Sequence, residues 1–490
     1  MHHQHFTRAD LAKIAVVVMK EHGLEPDFSE AVQDQLTHIQ SPAEESDPSI
    51  QDLRHLLWCS LDNDDSLDLD QLTACADIGN GQHKIYVAIA DVDGLIKKDS
   101  PIDQHAKLNT ASIYTSSRIF PMLPEKLSTN LSSLNFNEDR LALVTEMAIS
   151  ATGEILGSTI YRAKVRNKAK LAYDATSDWI DGKTPAPKAI ADLPGMDLQI
   201  KTQDAIAQKL RLRRHQAGSL QFEIFQPKAI FAGEKIIDIA EQIQNRGRQL
   251  IEEFMIATNE STARFLLKKG IPSLRRVVRS PERWLRIVEL AKQYGALLPS
   301  SPDSKALSEF LSKRHVADPE RFPDLSLVIV KLMGPGEYVL EHPGEKPIGH
   351  FGLAVQDYMH STAPNRRFPD LITLRMIKQA LIGQRSLYDN QELYALALHC
   401  TTQEDAIRKV ERRMRKSDAA LFLEPYIGKE FNGIITGINP NYGWVRIFNP
   451  PAEGMLLKLP KNATIGNKVR VQLVSTDVQM GHINFMLSGY

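Results

Sequence analysis

The chain has 490 residues, 42% of them hydrophobic, which is enough for about three domains with a sizeable core and excludes a disordered polyelectrolyte. Fifty-nine Lys and Arg stand against 60 Asp and Glu, so the net charge of -1 neither selects nor excludes a polyanionic partner. Cys59, Cys75 and Cys400 form an odd set with no CxxC pair, and the run Ile14 to Met19 is too short to span a bilayer, so a reduced, cytoplasmic, monomeric protein is expected.

Thr7 and Asp10 can cap a helix that carries Leu11, Ile14, Ala15 and Val18 and stops at Gly23. A second helix starts near Phe28 with Asp27 or Ser29 as its cap, and Ser41 to Ser49, SPAEESDPS, reads as a linker. A helical, helix-turn-helix-like segment is therefore expected over residues 1–50.

The next stretch, Ser60 to Leu72, is SLDNDDSLDLDQL. Its five aspartates, at 62, 64, 65, 68 and 70, repel one another unless a cation or water screens them. A solvated loop is the plainer reading, but the apolar flanks HLLW and KIYVAIADV argue for a cation site, and hard oxygen ligands point to magnesium or manganese. A calcium loop of the EF-hand kind is excluded, because Leu67 and Thr73 stand where it needs Gly and Glu. Fully extended, the chain from Asp62 to Asp70 would span roughly 26 Å, so a shared site requires the loop to fold back.

From Asp52 to about Ile180 the alternation in IYVAIADV, LALVTEMAIS and STIYRAKVR predicts an antiparallel sheet with one covered face. Within it, Tyr114 to Asn135 reads as a long ordered loop. Leu193 to Leu381 is expected to be mostly helical. In the helix from Ile251 to Gly270, Glu252 falls on the stripe of Met255, Ile256 and Asn259, where a carboxylate is either paired or functional. Pro369 and Asp370 open a further helix just after Arg366 and Arg367, an arrangement suited to a phosphate. Basic clusters at Lys201 to Arg214, Arg264 to Arg286 and Arg408 to Lys416 are either channel walls or wet helix faces. Five short strands from about Phe431 to Tyr490 fit a small OB-type barrel, with Tyr442 as a base-stacking face. The fold class is α+β.

Together the acidic loop, the PMLP loop and TAPNRRFPD resemble the RNB family of bacterial exoribonucleases, the ribonuclease II and ribonuclease R type, from about Leu56 onward. The resemblance implies an RNB catalytic domain over 51–425, with helices and a mixed sheet around an RNA channel, and an OB-fold RNA-binding domain over 426–490. It also implies hydrolysis of single-stranded RNA from the 3' end to nucleoside 5'-monophosphates by a two-metal mechanism, with Mg2+ (or Mn2+) held by a loop patterned DxxxxxDxDD. Asp62, Asp68 and Asp70 match its first three acids, and Gln71 takes the fourth position with a carbonyl oxygen but no charge. One metal should then be held more weakly or through water.

Asp70 and Arg366 correspond to catalytic residues, and Tyr114, Tyr173, Glu252, Arg366, Arg367 and Glu411 to RNA contacts. Typical members begin with two cold-shock OB domains, where this chain has a helical segment, so RNA entry is expected to rely on the C-terminal barrel and the channel. The alternative reading is an RNA-binding protein of this fold with attenuated or lost catalysis.

Overall fold

Thr7 caps the helix Arg8–Glu21 through a reciprocal box with Asp10, and Ser29 caps Glu30–Thr37. The computed structural model describes residues 6–224, 227–241, 244–459 and 463–488. The first helix lays Leu11, Ala15, Val18 and Met19 against the 34-residue helix Asn390–Leu423. Residues 41–50 hold no helix, as the composition predicts, but the segment is not loose. Glu45 grips Arg162 of the sheet (Nη1 to Oε1, 2.8 Å), and Arg162 in turn reaches buried Asp91 at 3.3 Å.

Nine strands precede residue 173: β1 (Gln51–Asp52), β2 (Cys59–Asp62), β3 (Gln71–Gly79), β4 (Gln82–Ala90), β5 (Ile113–Tyr114), β6 (Ile119–Phe120), β7 (Asp139–Ile149), β8 (Ile155–Arg166) and β9 (Ala169–Ala172). Seven of them form one sheet in the order β1-β8-β7-β4-β3-β2-β9, and β5 with β6 forms a separate hairpin. The expectation of a purely antiparallel sheet is corrected, since β1 runs parallel to β8 and β2 parallel to β9.

The single covered face is corrected too. Ile85, Val87 and Ile89 of β4 enter a core with the helices Met196–Gln216 and Arg246–Lys268, while Ala88 and Ala90 enter the opposite core with Phe368–Leu381. Small apolar residues on the second face let a helix approach, so the polar alternation expected of a wet face is missing. The segment Tyr114 to Asn135, expected as loop, contains the β5-β6 hairpin and a wide helical turn at Lys126–Leu131.

Two antiparallel strand pairs interrupt the segment expected to be helical: the hairpin Pro227–Ala232 with Lys235–Glu241, and Ser273–Val277 with the distant Glu337–Glu341. The first turns at Gly233, whose φ of +61° suits glycine. The C-terminal strands Glu430–Ile438, Gly443–Ile447, Ala452–Leu456, Lys468–Asp477 and His482–Leu487 close into a five-stranded barrel, and the architecture is α+β. No helix among the described residues is long and apolar enough to cross a membrane.

One buried ion cluster fastens the helix Phe368–Leu381 to the segment that follows β4. Arg375 is wholly buried and contacts Asp93 at 2.9 Å, Asp103 at 2.7 Å, the Tyr388 hydroxyl at 2.9 Å and the Ile96 carbonyl at 2.7 Å. Replacing it leaves the buried Asp103 without its cation and Asp93 with Lys378 alone, at 2.9 Å. Arg375→Leu is expected to cost about 3–5 kcal/mol of stability, read as a lowered urea midpoint.

Candidate active site

Three stretches far apart in sequence meet at the start of β3: the acidic loop, residues 110–134 and residues 361–370. Asp62 ends β2, and its Oδ1 accepts from the Asn63 amide at 2.7 Å and the Ser66 hydroxyl at 3.0 Å, which bends the loop back at once. Ser133 pins the far side of the loop. Its hydroxyl accepts from the Leu69 amide at 2.9 Å and donates to the Leu67 carbonyl at 2.8 Å, while the Leu134 amide donates to the Leu69 carbonyl at 3.0 Å.

Asp70 lies at the meeting point and is 1% exposed. Its carboxylate accepts from the Asn365 amide at 2.9 Å and from Arg366 Nε at 3.2 Å. Burial lifts its pKa to about 7; Arg366 opposes that shift and Asp68 adds to it. The segment carrying Arg366 is held by main-chain bonds to residues 110–112, from the Ser112 amide to the Arg366 carbonyl at 3.0 Å and from the Phe368 amide to the Thr110 carbonyl at 2.7 Å. Ser132 adds a hydroxyl bond to Asn365 Oδ1 at 2.6 Å.

Asp370, fully buried, accepts from the Ala363 amide and from Arg367 Nη2, both at 2.8 Å. Arg367 therefore serves the helix mouth, and Arg366 serves the aspartate loop. An ion pair from Arg366 to Glu252 or Asp370, the purely structural use for it, does not form.

Tyr114 joins the two halves of the site. Its hydroxyl donates to Asp68 Oδ2 at 3.2 Å, and its amide donates to Glu411 Oε1 at 3.0 Å. Burial raises the pKa of Asp68, Glu411 and the Tyr114 hydroxyl. Tyr114 is nonetheless 40% exposed and the Arg366 side chain 42%. Asp68 and Tyr114 both line a cavity of about 490 Å³ beside the loop, so the ring stays within reach of solvent although protein surrounds it. Tyr173 belongs to the same neighbourhood: the Arg248 guanidinium lies 4.6 Å over its ring, and its hydroxyl is raised by burial and then by Asp62.

Two expected residues behave differently. On the helix Arg246–Lys268 the carboxylate paired in the interior is Glu253, held by Arg214 at 2.9 and 2.6 Å, while Glu252 is exposed at its surface and yet has its pKa raised by the protein packed around it. One residue turns about 100° around a helix, so the buried stripe lies one position later than the sequence pattern suggests. Tyr442 packs edge-on against Trp444 at 5.1 Å within the barrel and makes no contact with the groups above among the described residues.

Gln71 is buried at the start of β3 and shares no side-chain hydrogen bond with Asp62, Asp68 or Asp70 among the described residues. The two-residue pleat sets it with Thr73 and Cys75, which bond Gln203 and Gln199 on the other side of the sheet. The sequence reading missed Asn365, Ser132 and Ser133, for which the Asn in TAPNRR and the paired serines in NLSSLN were the available signals.

Among the described residues no three His, Cys, Asp or Glu are arranged to enclose a metal ion. Asp68 and Asp70 nevertheless fit an ion of the magnesium type, which binds one or two carboxylates and completes its shell with water and substrate phosphate. Each raises the other's pKa or is raised by a neighbouring acid, and a cation relieves that repulsion.

The RNB domain profile matches residues 50–383, more than half of the sequence. The chain belongs to the RNB family. A second profile, the RNase II-type exonuclease C-terminal S1 domain, matches residues 429–488, which include the closed barrel. Similar proteins include Ribonuclease R of Escherichia coli, 30% identical over 90% of this chain and 55% of the relative, and Ribonuclease R of Aquifex aeolicus, 28% identical over 96% and 70%. The chain thus spans about half the length of several curated relatives that it matches.

Among solved structures, the apo form of Mycoplasma genitalium RNase R superposes with a TM-score of 0.88 at 23% identity, covering 98% of this chain and 78% of that one. Yeast Ssd1, described as a pseudonuclease, superposes with a TM-score of 0.72 at 13% identity, covering 95% of this chain and 57% of that one. The RNB fold is common to all of these.

Asp418, on the same long helix as Glu411, is 4% exposed, and burial raises its pKa from 3.8 to about 7. A carboxyl raised in the folded state favours folding fully below its unfolded pKa, and that contribution is lost as pH rises toward 7. Asp418→Asn, which carries no charge to desolvate, is therefore expected to be more stable than the parent above pH 7 by roughly 1–3 kcal/mol, with the gap closing below pH 4. Urea titrations at the two ends of that range read it.

Proposed function

We propose that this RNB-family chain is a hydrolytic 3'-to-5' exoribonuclease that degrades single-stranded RNA to nucleoside 5'-monophosphates. The observation that carries the reading is the buried Asp70 carboxylate, clamped by Asn365 and Arg366, with Asp68 beside it lining a cavity. The relatives called Ribonuclease R and the Mycoplasma genitalium structures with RNA support it. We assign the helical segment to 1–50, catalysis to 51–425 and RNA binding by the barrel to 426–490, in a monomeric cytoplasmic protein.

Asp68 and Asp70, with Asp62 at the loop's other end, would hold the cation, taken as Mg2+ with Mn2+ as substitute, and Gln71 brings no charge to the set. When bound, the cation polarises water and offsets charge on the departing oxygen. Hydrolysis adds water at the last phosphorus and breaks its bond to the 3'-oxygen, which leaves protonated, so a 5'-monophosphate is released. Arg366 counters charge on the phosphate, and Arg367 fixes the helix mouth that presents it. Tyr114 and Tyr173 offer ring faces for stacking, Glu411 positions Tyr114 through its amide, and Glu252 lines the RNA path from the opposite helix. Tyr442 would meet RNA farther out, on the barrel.

The tests separate binding from chemistry. Asp70→Asn is expected to lower turnover by more than about a hundredfold with RNA affinity held within a few-fold. Single-turnover rates and filter binding on one 5'-labelled oligomer measure both. Arg366→Lys should cut turnover at saturating RNA by at least about tenfold, because an ammonium cannot reproduce the planar fork.

A second reading, RNA binding by a chain whose catalysis has decayed, is favoured by Gln71 and by the likeness in fold to a protein described as a pseudonuclease. A ladder of shortening products in magnesium, abolished by EDTA, rules it out.

A further inference from the structure

A second cavity, of about 1380 Å³, lies between the barrel and the RNB domain. Phe431 and Phe448 of the barrel, Phe422 of the helix Asn390–Leu423 and Ile239 of the hairpin give it aromatic and apolar walls, and Arg248, in the first turn of the helix Arg246–Lys268, completes the lining. The acids of the barrel side are already paired, Glu320 with Lys468 at 2.9 Å and Glu430 with Arg470 at 2.7 Å. Arg446, another cation of the lining, is committed to Asp324 at 3.0 and 2.8 Å.

Arg248 is the lining cation that reaches the acidic loop. Its Nη2 donates to Asn63 Oδ1 at 3.0 Å, and the Asn63 amide donates to Asp62 Oδ1 at 2.7 Å. Its guanidinium lies 4.6 Å over the Tyr173 ring, so one face of that ring is covered. Asn63 in turn lines the smaller cavity of Asp68 and Tyr114, whose walls also carry Glu411 and Asp418. The Arg248 to Asn63 bond therefore has one cavity on each side. The hairpin marks the same junction, since Ala229 lines the smaller cavity and its cross-strand partner Ile239 the larger.

We propose that Arg248 binds a backbone phosphate of the RNA strand, 5' to the linkage that is cleaved, where the strand passes from the larger cavity to the acidic loop. A guanidinium presents its N–H donors in one plane, so it can take a phosphate edge-on while its face rests on a ring. Asp238 and Glu241, on the hairpin wall of the larger cavity, repel a phosphate and favour a seat at Arg248. The proposal rests on the exoribonuclease reading for the ligand and for the direction of the strand. Arg248 is a positioning residue here, because it holds the strand against the loop through Asn63 and Tyr173 and touches no reacting atom.

The test is a coupling measurement on the full chain, in magnesium, in the Asp70→Asn background, where cleavage is slow. Single-stranded RNA oligomers carry one neutral methylphosphonate at a time, moved linkage by linkage along the 3' half, and dissociation constants are read with Arg248 and with Arg248→Gln. At one linkage the neutral group is expected to weaken binding roughly tenfold when Arg248 is present and less than about twofold in Arg248→Gln. A purely structural role would weaken every oligomer by the same factor. Losses that are equal with and without Arg248 at every linkage overturn the proposal.

If Arg248→Gln does not fold, Arg248→Met, whose side chain still packs on the Tyr173 ring, takes its place in the same comparison. Unmodified RNA with magnesium and the parent protein tests the other reading separately. Absence of a ladder ends the exoribonuclease assignment and leaves the coupling standing, whereas a ladder without coupling ends this proposal alone.

Discussion

A carboxylate with almost no access to solvent, Asp70, is the constraint around which the structure is arranged. Removing such a charge from water is unfavourable by several kcal/mol, so the fold must supply compensation from more than one direction. Asn365 gives an amide, Arg366 gives a guanidinium edge, and both come from a segment nearly 300 residues away that is itself laced to residues 110–112. The compensation is incomplete, because a pKa near 7 records a carboxyl still short of positive charge. That shortfall is what makes the position suited to a cation.

The surroundings follow from the same balance. Arg367 is withdrawn from the site by Asp370, which leaves Arg366 to face Asp70 without a competing cation on its own segment. Tyr114 is tied at both ends, by its hydroxyl to Asp68 and by its amide to Glu411, so an aromatic face is fixed at the mouth of an acidic cavity. A sheet with helices on both faces gives this loop cluster a rigid base, which a sheet with one wet face would not.

Much of this was legible in the residues. The acidic loop, the capped N-terminal helices and the five barrel strands all announce themselves by local chemistry: charge density, a Thr-x-x-Asp box, and short alternating runs between turns. What did not announce itself depended on long-range partners. Glu252 and Glu253 lie on different sides of their helix, and which of the two is paired depends on Arg214, which comes from another helix. The second covered face of the sheet was hidden because alanines at 88 and 90 are small enough to read as neutral, although they are what admit the neighbouring helix. Asn365 contributes chiefly through a main-chain amide, which no side-chain pattern encodes.

The helix Asn390–Leu423 has a consequence for how this chain can vary in length. It meets the N-terminal helix, the Tyr114 hairpin and the barrel in succession, so its residues act as rungs at fixed angles on one shaft. Inserting a single residue between Glu411 and Asp418 would rotate everything beyond it by about 100° and advance it by about 1.5 Å, turning the second carboxyl away from the first one's wall and misaligning the barrel. Substitutions on the outward side of this stretch are cheap by comparison, whereas a gain or loss of one codon there is not.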